Sequence, residues 1–176
     1  AANGGSLGAI EQPELDADVV VVGGGVTGLT TAYLLAREGR RVVVLERGRC
    51  GDAETGHTTA HLTMVTDSRL GDLARRVGRP HAQAAWDAGL AAIAQIEAIV
   101  ATHCIDADFQ RVDGYLHAPR VAVTEEVVAH LRRDAELAAD LGFDVTFEPT
   151  VPFVNVPGMR VCDQARINPR AYVAGL

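Results

Sequence analysis

The chain alternates short runs of β-branched residues with stretches whose apolar positions recur at helical spacing. Residues 19–22 and 42–45 are almost all valine, a pattern typical of strands that are buried on both faces of a parallel sheet. Between them, residues 26–38 carry apolar side chains three and four positions apart, and Gly39 stands where a helix-ending glycine belongs. Strand, helix and strand in this order predict a parallel βαβ unit with a right-handed crossover.

The remainder of the chain predicts further helices and strands around a long loop. Residues 47–66 are rich in Gly, Thr and His and lack periodicity, so we expect a loop with a helical turn near Ala60. Helices are expected over 67–77, 80–102, 124–141 and 169–176. Strands are expected over 108–112, 115–117, 145–147 and 160–165. The Asp113-Gly114 pair predicts a hairpin turn between the first two of these strands, and Trp86, at helical spacing, is assigned to the core.

Composition and charge narrow the classes of partner and chemistry. The formal net charge is -7 and no basic cluster is present, so nucleic acid and acidic membrane surfaces are poor partners. All 16 basic residues are arginine, so no lysine Schiff base or lysine general base can come from this segment. Cys50, Cys104 and Cys162 lie far apart, which argues against a metal site or a disulfide framework. No stretch approaches the ~20 apolar residues of a spanning helix and no signal peptide is evident, so we expect a cytoplasmic location.

A glycine-rich segment between the first strand and the first helix carries the clearest chemical signal. Gly23-Gly24-Gly25-Val26-Thr27-Gly28 has the G-x-G-x-x-G spacing of a dinucleotide-binding loop. Gly23 permits the tight turn, Gly25 lets a pyrophosphate approach the backbone, and Gly28 lets helix and strand pack closely. The segment therefore predicts a phosphate-binding loop.

Two neighbouring sequence features indicate how a dinucleotide would bind and which dinucleotides are compatible. The first helical residues, Val26 and Thr27, supply N–H groups and partial positive charge for the phosphates. Glu46 ends the second strand and is expected to accept hydrogen bonds from the adenosine ribose hydroxyls. A carboxylate at this position would repel a 2′-phosphate, which argues against NADP but leaves both NAD and FAD open.

Residues 18–63, which contain this loop, resemble the FAD-dependent oxidoreductases of the D-amino-acid oxidase and glycine oxidase superfamily. Segments 54–63 (ETGHTTAHLT), 108–118 and 163–176 resemble a bacterial branch whose members commonly carry a C-terminal Rieske iron–sulfur domain. The resemblance implies FAD as the cofactor and a small amine or amino acid as the substrate. It also implies that the loop after the second strand runs along the pyrophosphate, with cofactor contacts from Arg47, Thr55, Gly56, His57, Thr58 and Thr59.

His57 admits two interpretations, a catalytic base and a hydrogen-bonding loop residue beside the cofactor. We favour the second, because hydride transfer to a flavin needs orientation and electrostatics more than a dedicated base. The catalytic residues therefore stay unassigned.

Together these observations predict an α/β fold, in which a Rossmann-like FAD-binding βαβ unit precedes the start of an α+β substrate domain. We expect a flexible leader over 1–17, the FAD-binding part over 18–105 and a truncated substrate domain over 106–176. The expected function is FAD-dependent oxidation of a C–N bond in an amine or amino acid, with this segment alone inactive. An NAD-dependent dehydrogenase and an inactive nucleotide-binding fragment are the alternatives. The Rieske ligands have no counterpart here, so a Rieske domain would lie elsewhere in the intact protein.

Overall fold

A computed structural model describes residues 16–176, so most of the predicted leader, residues 1–15, lies outside the described part. The strands are β1 Val19–Val22, β2 Val42–Leu45, β3 His61–Leu62, β4 Gln110–His117, β5 Val145–Glu148 and β6 Gly158–Arg166. The helices are α1 Val26–Arg37, α2 Glu54–His57, α3 Leu70–Val77, α4 Arg79–Thr102, α5 Glu125–Asp140 and α6 Pro169–Gly175. Helices and strands alternate through the chain, and the α/β class is confirmed.

The N-terminal unit is the predicted parallel βαβ. Strands β1 and β2 pair in parallel from Val19 opposite Val42 to Val22 opposite Leu45, and α1 begins directly after its N-cap residue Gly25. Helix α1 ends at Arg37, and Gly39, just after the C-cap residue Glu38, has a φ of 78° that glycine readily adopts. Two backbone hydrogen bonds close this end, from the Gly39 amide to Ala36 at 2.9 Å and from the Arg40 amide to Leu35 at 3.1 Å. They form a Schellman motif, which fixes the direction of the chain into β2.

The prediction that β1 is buried on both faces is wrong for the described part of the chain. Val20 and Val22 are 54% and 83% exposed, and Leu45 of β2 is 54% exposed. Helix α1 packs on this two-stranded sheet, while Val20 and Val22 on the opposite side remain open to solvent. The valine run is therefore covered on one face only within residues 16–176.

The second sheet is antiparallel and is built around the long strand β6. Strand β4 pairs along one edge of β6, and β3 and β5 pair along the other. The predicted hairpin at Asp113-Gly114 is wrong, because β4 runs through this position as one strand. The register shifts there: Val112 lies opposite Gln164 and Gly114 lies opposite Val161. Asp163, with a φ of 59°, is accommodated in this bulge.

The long loop also differs from its prediction in detail. Its helical turn is α2, which begins at Glu54, whereas Ala60 has a φ of 67° and leads into β3. Strand β3 has only two residues and is held by pairing with the distant end of β6. That partner is about 100 residues away in the sequence, so the local pattern could not reveal the strand.

Two hydrophobic cores hold the described chain together, and α4 contributes to both. The first core contains Trp86 of α4 and Phe143, whose rings lie 5.3 Å apart, and includes residues of α3, α5 and β6. Trp86 is fully buried, as predicted. The second core contains Ile99 of α4, Ile167 and Tyr172, against which α1 packs. Both cores join residues from before and after position 105, and the division into domains at that point stays a prediction.

Helix α4 is long and apolar enough to span a membrane, judged by length and composition alone. The sequence pattern predicted no such segment, because the apolar character of α4 comes largely from alanine and not from a run of large side chains. Core helices of globular proteins meet the same criterion when they are mostly buried, whereas only 17% of the apolar window of α4 is buried within the described chain, including Trp86, Ile93 and Ile99.

Candidate functional site

The backbone of the glycine loop at Gly23 lies so close to the start of α1 at Gly28 that no side chain would fit between them. Gly23 has a φ of 107°, in the region that favours glycine. A Cβ at Gly28 would lie 2.0 Å from the Gly23 carbonyl oxygen, so helix α1 can approach the end of β1 only because position 28 lacks a side chain. The two roles predicted for Gly23 and Gly28, the turn and the close packing, agree with this geometry.

Helix α1 presents N–H groups at its start that have no internal partner. The first intrahelical bond runs from the Leu29 amide to the Gly25 carbonyl at 2.9 Å. The Val26 amide donates to the Thr55 hydroxyl at 3.0 Å. The amides of Gly25, Thr27 and Gly28 find no acceptor among residues 16–176. Three open N–H groups at the positive end of a helix dipole form a binding site for an anionic group such as a phosphate.

Glu46 holds the glycine loop in place from the end of β2. Its carboxylate accepts hydrogen bonds from the Gly24 amide at 2.7 Å and from the Gly48 amide at 2.8 Å. These two bonds, the one from Gly24 first, hold the pKa of Glu46 below its ordinary value of 4.5, so the group is ionised at neutral pH. A carboxylate accepts about four hydrogen bonds, so two remain for a ligand. The ribose contact of Glu46 stays a prediction.

A cavity of about 690 Å³ opens beside the glycine loop. This volume lies within the range of cofactor pockets. Seven predicted site residues line it: Gly23, Gly25, Val26, Thr27, Gly28, Thr55 and Thr58. Its apolar walls come from residues distant in sequence, including Leu62 of β3, Ile96 of α4 and Ile167. The cavity therefore has open backbone N–H groups where it meets the glycine loop and apolar side chains along its other walls.

The other five predicted site residues lie outside the lining of this cavity. Glu46 stands behind the glycine loop and acts on it through the Gly24 amide. A Cβ at Gly56 would lie 2.7 Å from the Gly51 carbonyl oxygen, so this glycine serves close packing of the loop. The His57 Nδ1 atom lies 2.9 Å from the carbonyl oxygen of Ala53, the N-cap residue of its own short helix. Arg47 and Thr59 are exposed.

Sequence reasoning missed Tyr172 of α6, which lines the cavity and is fully buried. Its hydroxyl lies 3.0 Å from the Thr30 hydroxyl of α1 and so links the last helix to the first. Burial raises the pKa of Tyr172 above its ordinary value of 10.0, so the phenol stays protonated at neutral pH. The only sequence signal was the capped helix start at Asn168, whose side chain accepts from the Ala171 amide at 3.1 Å.

Gln164 of β6 is a second residue that the sequence pattern did not reveal. It is fully buried, and both ends of its amide are bonded. The oxygen accepts from the Met64 amide at 2.8 Å, and the nitrogen donates to the Cys162 carbonyl at 2.8 Å. Gln164 therefore anchors the loop that follows β3 to the bulge of β6.

Known proteins resemble this chain in sequence or in fold. A putative Rieske 2Fe-2S iron-sulfur protein of Bacillus subtilis (strain 168) is 30% identical over 94% of the chain. The chain spans only 32% of the length of that relative. The glycine oxidase of Geobacillus kaustophilus superposes with a TM-score of 0.63 at 20% identity, over 90% of this chain and 42% of the oxidase. The L-proline dehydrogenase of P. horikoshii gives 0.66 at 15% identity, over 93% and 41% of the two chains.

The two solved structures establish the fold, and a family model establishes the relationship. The model described as FAD dependent oxidoreductase (DAO) matches residues 18–176, which is nearly all of the chain that the structure describes. A family that binds FAD is consistent with the open N–H groups of the glycine loop and with the cavity beside it. The chain therefore belongs to the DAO family of FAD-dependent oxidoreductases.

Proposed function

We propose that the intact protein oxidises a C–N bond of an amine or amino acid, with FAD as the hydride acceptor. The observation that carries the proposal is the set of three open amides, from Gly25, Thr27 and Gly28, beside a largely apolar cavity. This arrangement fits a cofactor with a charged pyrophosphate and a flat, mostly apolar ring system. When bound, FAD supplies the acceptor for the hydride that leaves the substrate carbon.

The residues of this chain would bind and cover the cofactor without taking part in covalent chemistry. The open amides and the α1 dipole would hold the pyrophosphate. Glu46 and Thr55 keep the loop in its binding geometry through the Gly24 and Val26 amides. Leu62 and Ile96 would exclude water from the cavity, which strengthens the electrostatic contacts inside it.

The choice of a C–N bond is supported by the names of the similar structures. One is a glycine oxidase and the other an L-proline dehydrogenase, and both names refer to amino acids. The family match favours FAD over NAD as the cofactor, and no observation on the described residues specifically supports the NAD-dependent alternative. Because the Bacillus relative is named a putative Rieske protein and is about three times longer than the matched part, we also propose a Rieske domain elsewhere in the intact protein.

The proposal predicts that amines or amino acids reduce the flavin of the intact, FAD-loaded protein. Anaerobic mixing with a panel of amines and amino acids should bleach the visible flavin absorbance, because the hydride moves from carbon to the cofactor. The matched controls are alcohols with the same carbon skeletons, which should leave the flavin oxidised. Reduction by the alcohols or by NADH, with no response to any amine or amino acid, would contradict the proposed reaction.

A further inference from the structure

The segment that runs through β3 toward α3 is attached to β6 at every second residue. Ala60 accepts a backbone hydrogen bond at 3.0 Å from the residue that follows β6. Leu62 lies opposite Ala165 in the antiparallel ladder. Met64, the next residue in this alternation, donates from its amide to the Gln164 Oε1 atom at 2.8 Å. Two of the three attachments are made by the backbone of the β6 side, and the third is made by a side chain.

The bulge of β6 explains why a side chain supplies the third bond. The register of β3, continued by two residues, would place Met64 opposite the backbone of Asp163. Asp163 has a φ of 59°, and its carbonyl accepts from the Arg111 guanidinium at 2.8 Å. The ladder bond that is lost at the bulge is therefore replaced by a bond to the Gln164 side chain.

Gln164 is enclosed, and both of its polar ends are bonded. Its exposed fraction is 0%, and its nitrogen donates to the Cys162 carbonyl at 2.8 Å. The Met64 amide can only donate, so the atom that it meets must be the oxygen of the side-chain amide. Gly114 of β4 provides the room, because a Cβ there would lie 2.9 Å from the Gln164 Cγ atom. Gln164, Met64 and Gly114 are all buried by residues of the described chain itself.

The attached segment forms one wall of the cavity beside the glycine loop. Ala60, His61 and Leu62 line this cavity, and its lining within residues 16–176 includes β1 but no residue of β2. Glu46, the predicted ribose contact, places the adenosine toward the end of β2. In FAD the pyrophosphate lies between adenosine and flavin, so the flavin extends from the glycine loop away from β2. The wall that contains Leu62 is therefore on the flavin side of the phosphates.

The position of this wall depends on few bonds, because β3 has only two residues. Removal of the Gln164 oxygen would leave the Met64 amide buried without an acceptor, which is unfavourable unless the segment moves. A wall that moves must be ordered again when the cofactor binds, and this ordering lowers the affinity. A fixed wall is already in the bound conformation.

We propose that Gln164 is a positioning residue of the flavin site, which holds the wall containing Leu62 in place for FAD through the Met64 amide. Gln164 itself does not line the cavity and acts through the segment that does. Coupling of this kind is reciprocal, so bound FAD must stabilise the ordered segment as much as the ordered segment favours FAD. The inference rests on the FAD cofactor and not on the substrate, so it can fail while the proposed C–N oxidation stands.

The first test is Gln164→Met in the intact protein, which keeps the length of the side chain and removes both hydrogen bonds. Hydrogen exchange of the Met64 amide should become roughly 5- to 150-fold faster, and FAD should bind at least about fivefold more weakly. The visible absorbance bands of the bound flavin should shift, because the wall beside the ring system moves.

Gln83→Met is the matched control, with the same substitution in α4. Gln83 donates to the Leu141 carbonyl at 3.1 Å and does not line the cavity. This variant loses a comparable hydrogen bond, so it should lose stability without a change in FAD affinity, in the flavin spectrum or in the exchange of the Met64 amide.

Gln164→Glu distinguishes hydrogen bonding from packing at the same position. Burial raises the pKa of a carboxyl group, so at about pH 6 the neutral acid can accept from Met64 and donate to the Cys162 carbonyl as glutamine does. At about pH 9 the ionised carboxylate has no donor and faces that carbonyl oxygen. Its FAD affinity should be within about threefold of the unaltered protein at the lower pH and should fall as the pH rises. The other ionisable groups nearby, His61 and Asp163, are present in both proteins, so comparison at each pH cancels their contribution.

Unchanged FAD affinity and flavin spectrum in Gln164→Met, or equal losses in Gln164→Met and Gln83→Met, overturn the proposal. A Gln164→Glu variant whose FAD affinity relative to the unaltered protein does not depend on pH overturns it as well. Where the variants do not fold, the unaltered protein provides the answer. Removal of FAD should speed hydrogen exchange in residues 60–64 by at least about fivefold, and exchange that is the same with and without FAD contradicts the positioning role.

Discussion

Gly28→Ala in the intact protein is expected to weaken FAD binding by roughly 5- to 150-fold. The new methyl group would lie 2.0 Å from the Gly23 carbonyl oxygen, a backbone atom that cannot turn away. Overpacking of this kind costs about 1–3 kcal/mol or more. To relieve the clash, the glycine loop would move away from α1 and lose the geometry that binds the cofactor. Titration of the apoprotein with FAD, followed by flavin fluorescence, measures the change.

Gly48→Ala provides the control for the same substitution in a neighbouring loop. A Cβ at Gly48 would meet the Glu46 Oε1 atom at 3.6 Å, an ordinary contact, and the amide that bonds Glu46 is kept. This variant should bind FAD as the unaltered protein does, within about twofold. Equal affinities for Gly28→Ala and Gly48→Ala would show that the close contact at Gly28 does not shape the binding loop.

Trp86→Ala is expected to be the most destabilising single substitution in the described chain, at about 3–5 kcal/mol. The indole is fully buried, lies 5.3 Å from the Phe143 ring and connects α4 to the core beneath β6. Alanine would leave a cavity within this core. Thermal and denaturant unfolding of the intact protein should both show the loss.

Trp86→Phe distinguishes how much of the stability at this position comes from aromatic packing and how much depends on the indole N–H group. The indole Nε1 atom is buried and finds no acceptor within residues 16–176, so its removal relieves an unsatisfied donor. Phenylalanine keeps the aromatic contact with Phe143 and should lose only about 1–2 kcal/mol. A loss for Trp86→Phe as large as that for Trp86→Ala would mean that the indole nitrogen has a partner outside the described residues.

The sequence predicts the βαβ unit well because the signals for it are local. The valine runs, the glycine loop and the helix-ending glycine at Gly39 each determine the conformation of their own segment. Seven of the twelve residues that the glycine spacing and the family resemblance assign to the cofactor line the cavity beside the glycine loop, and their contact with FAD stays a prediction.

The remaining features depend on partners far away in the chain. Strand β4 passes through Asp113-Gly114 because β6 offers a continuous edge with a bulge at Asp163, which outweighs the local preference of Asp-Gly for a hairpin. Tyr172 reaches the cavity only because α6 packs against α1. The exposure of Val20 and Val22 also depends on distant parts of the chain, because a strand face is buried only where another element packs against it.

The most direct test of the central claim, that the cavity beside the glycine loop binds FAD, is the identity of the nucleotide that the intact protein holds. The purified protein is unfolded, and the released ligand is identified by mass and counted per chain. The structure and the family predict FAD at close to one molecule per chain, and a lower FAD content in Gly28→Ala than in Gly48→Ala. A folded protein that releases NAD, or that takes up NAD but no FAD on titration, would contradict the account.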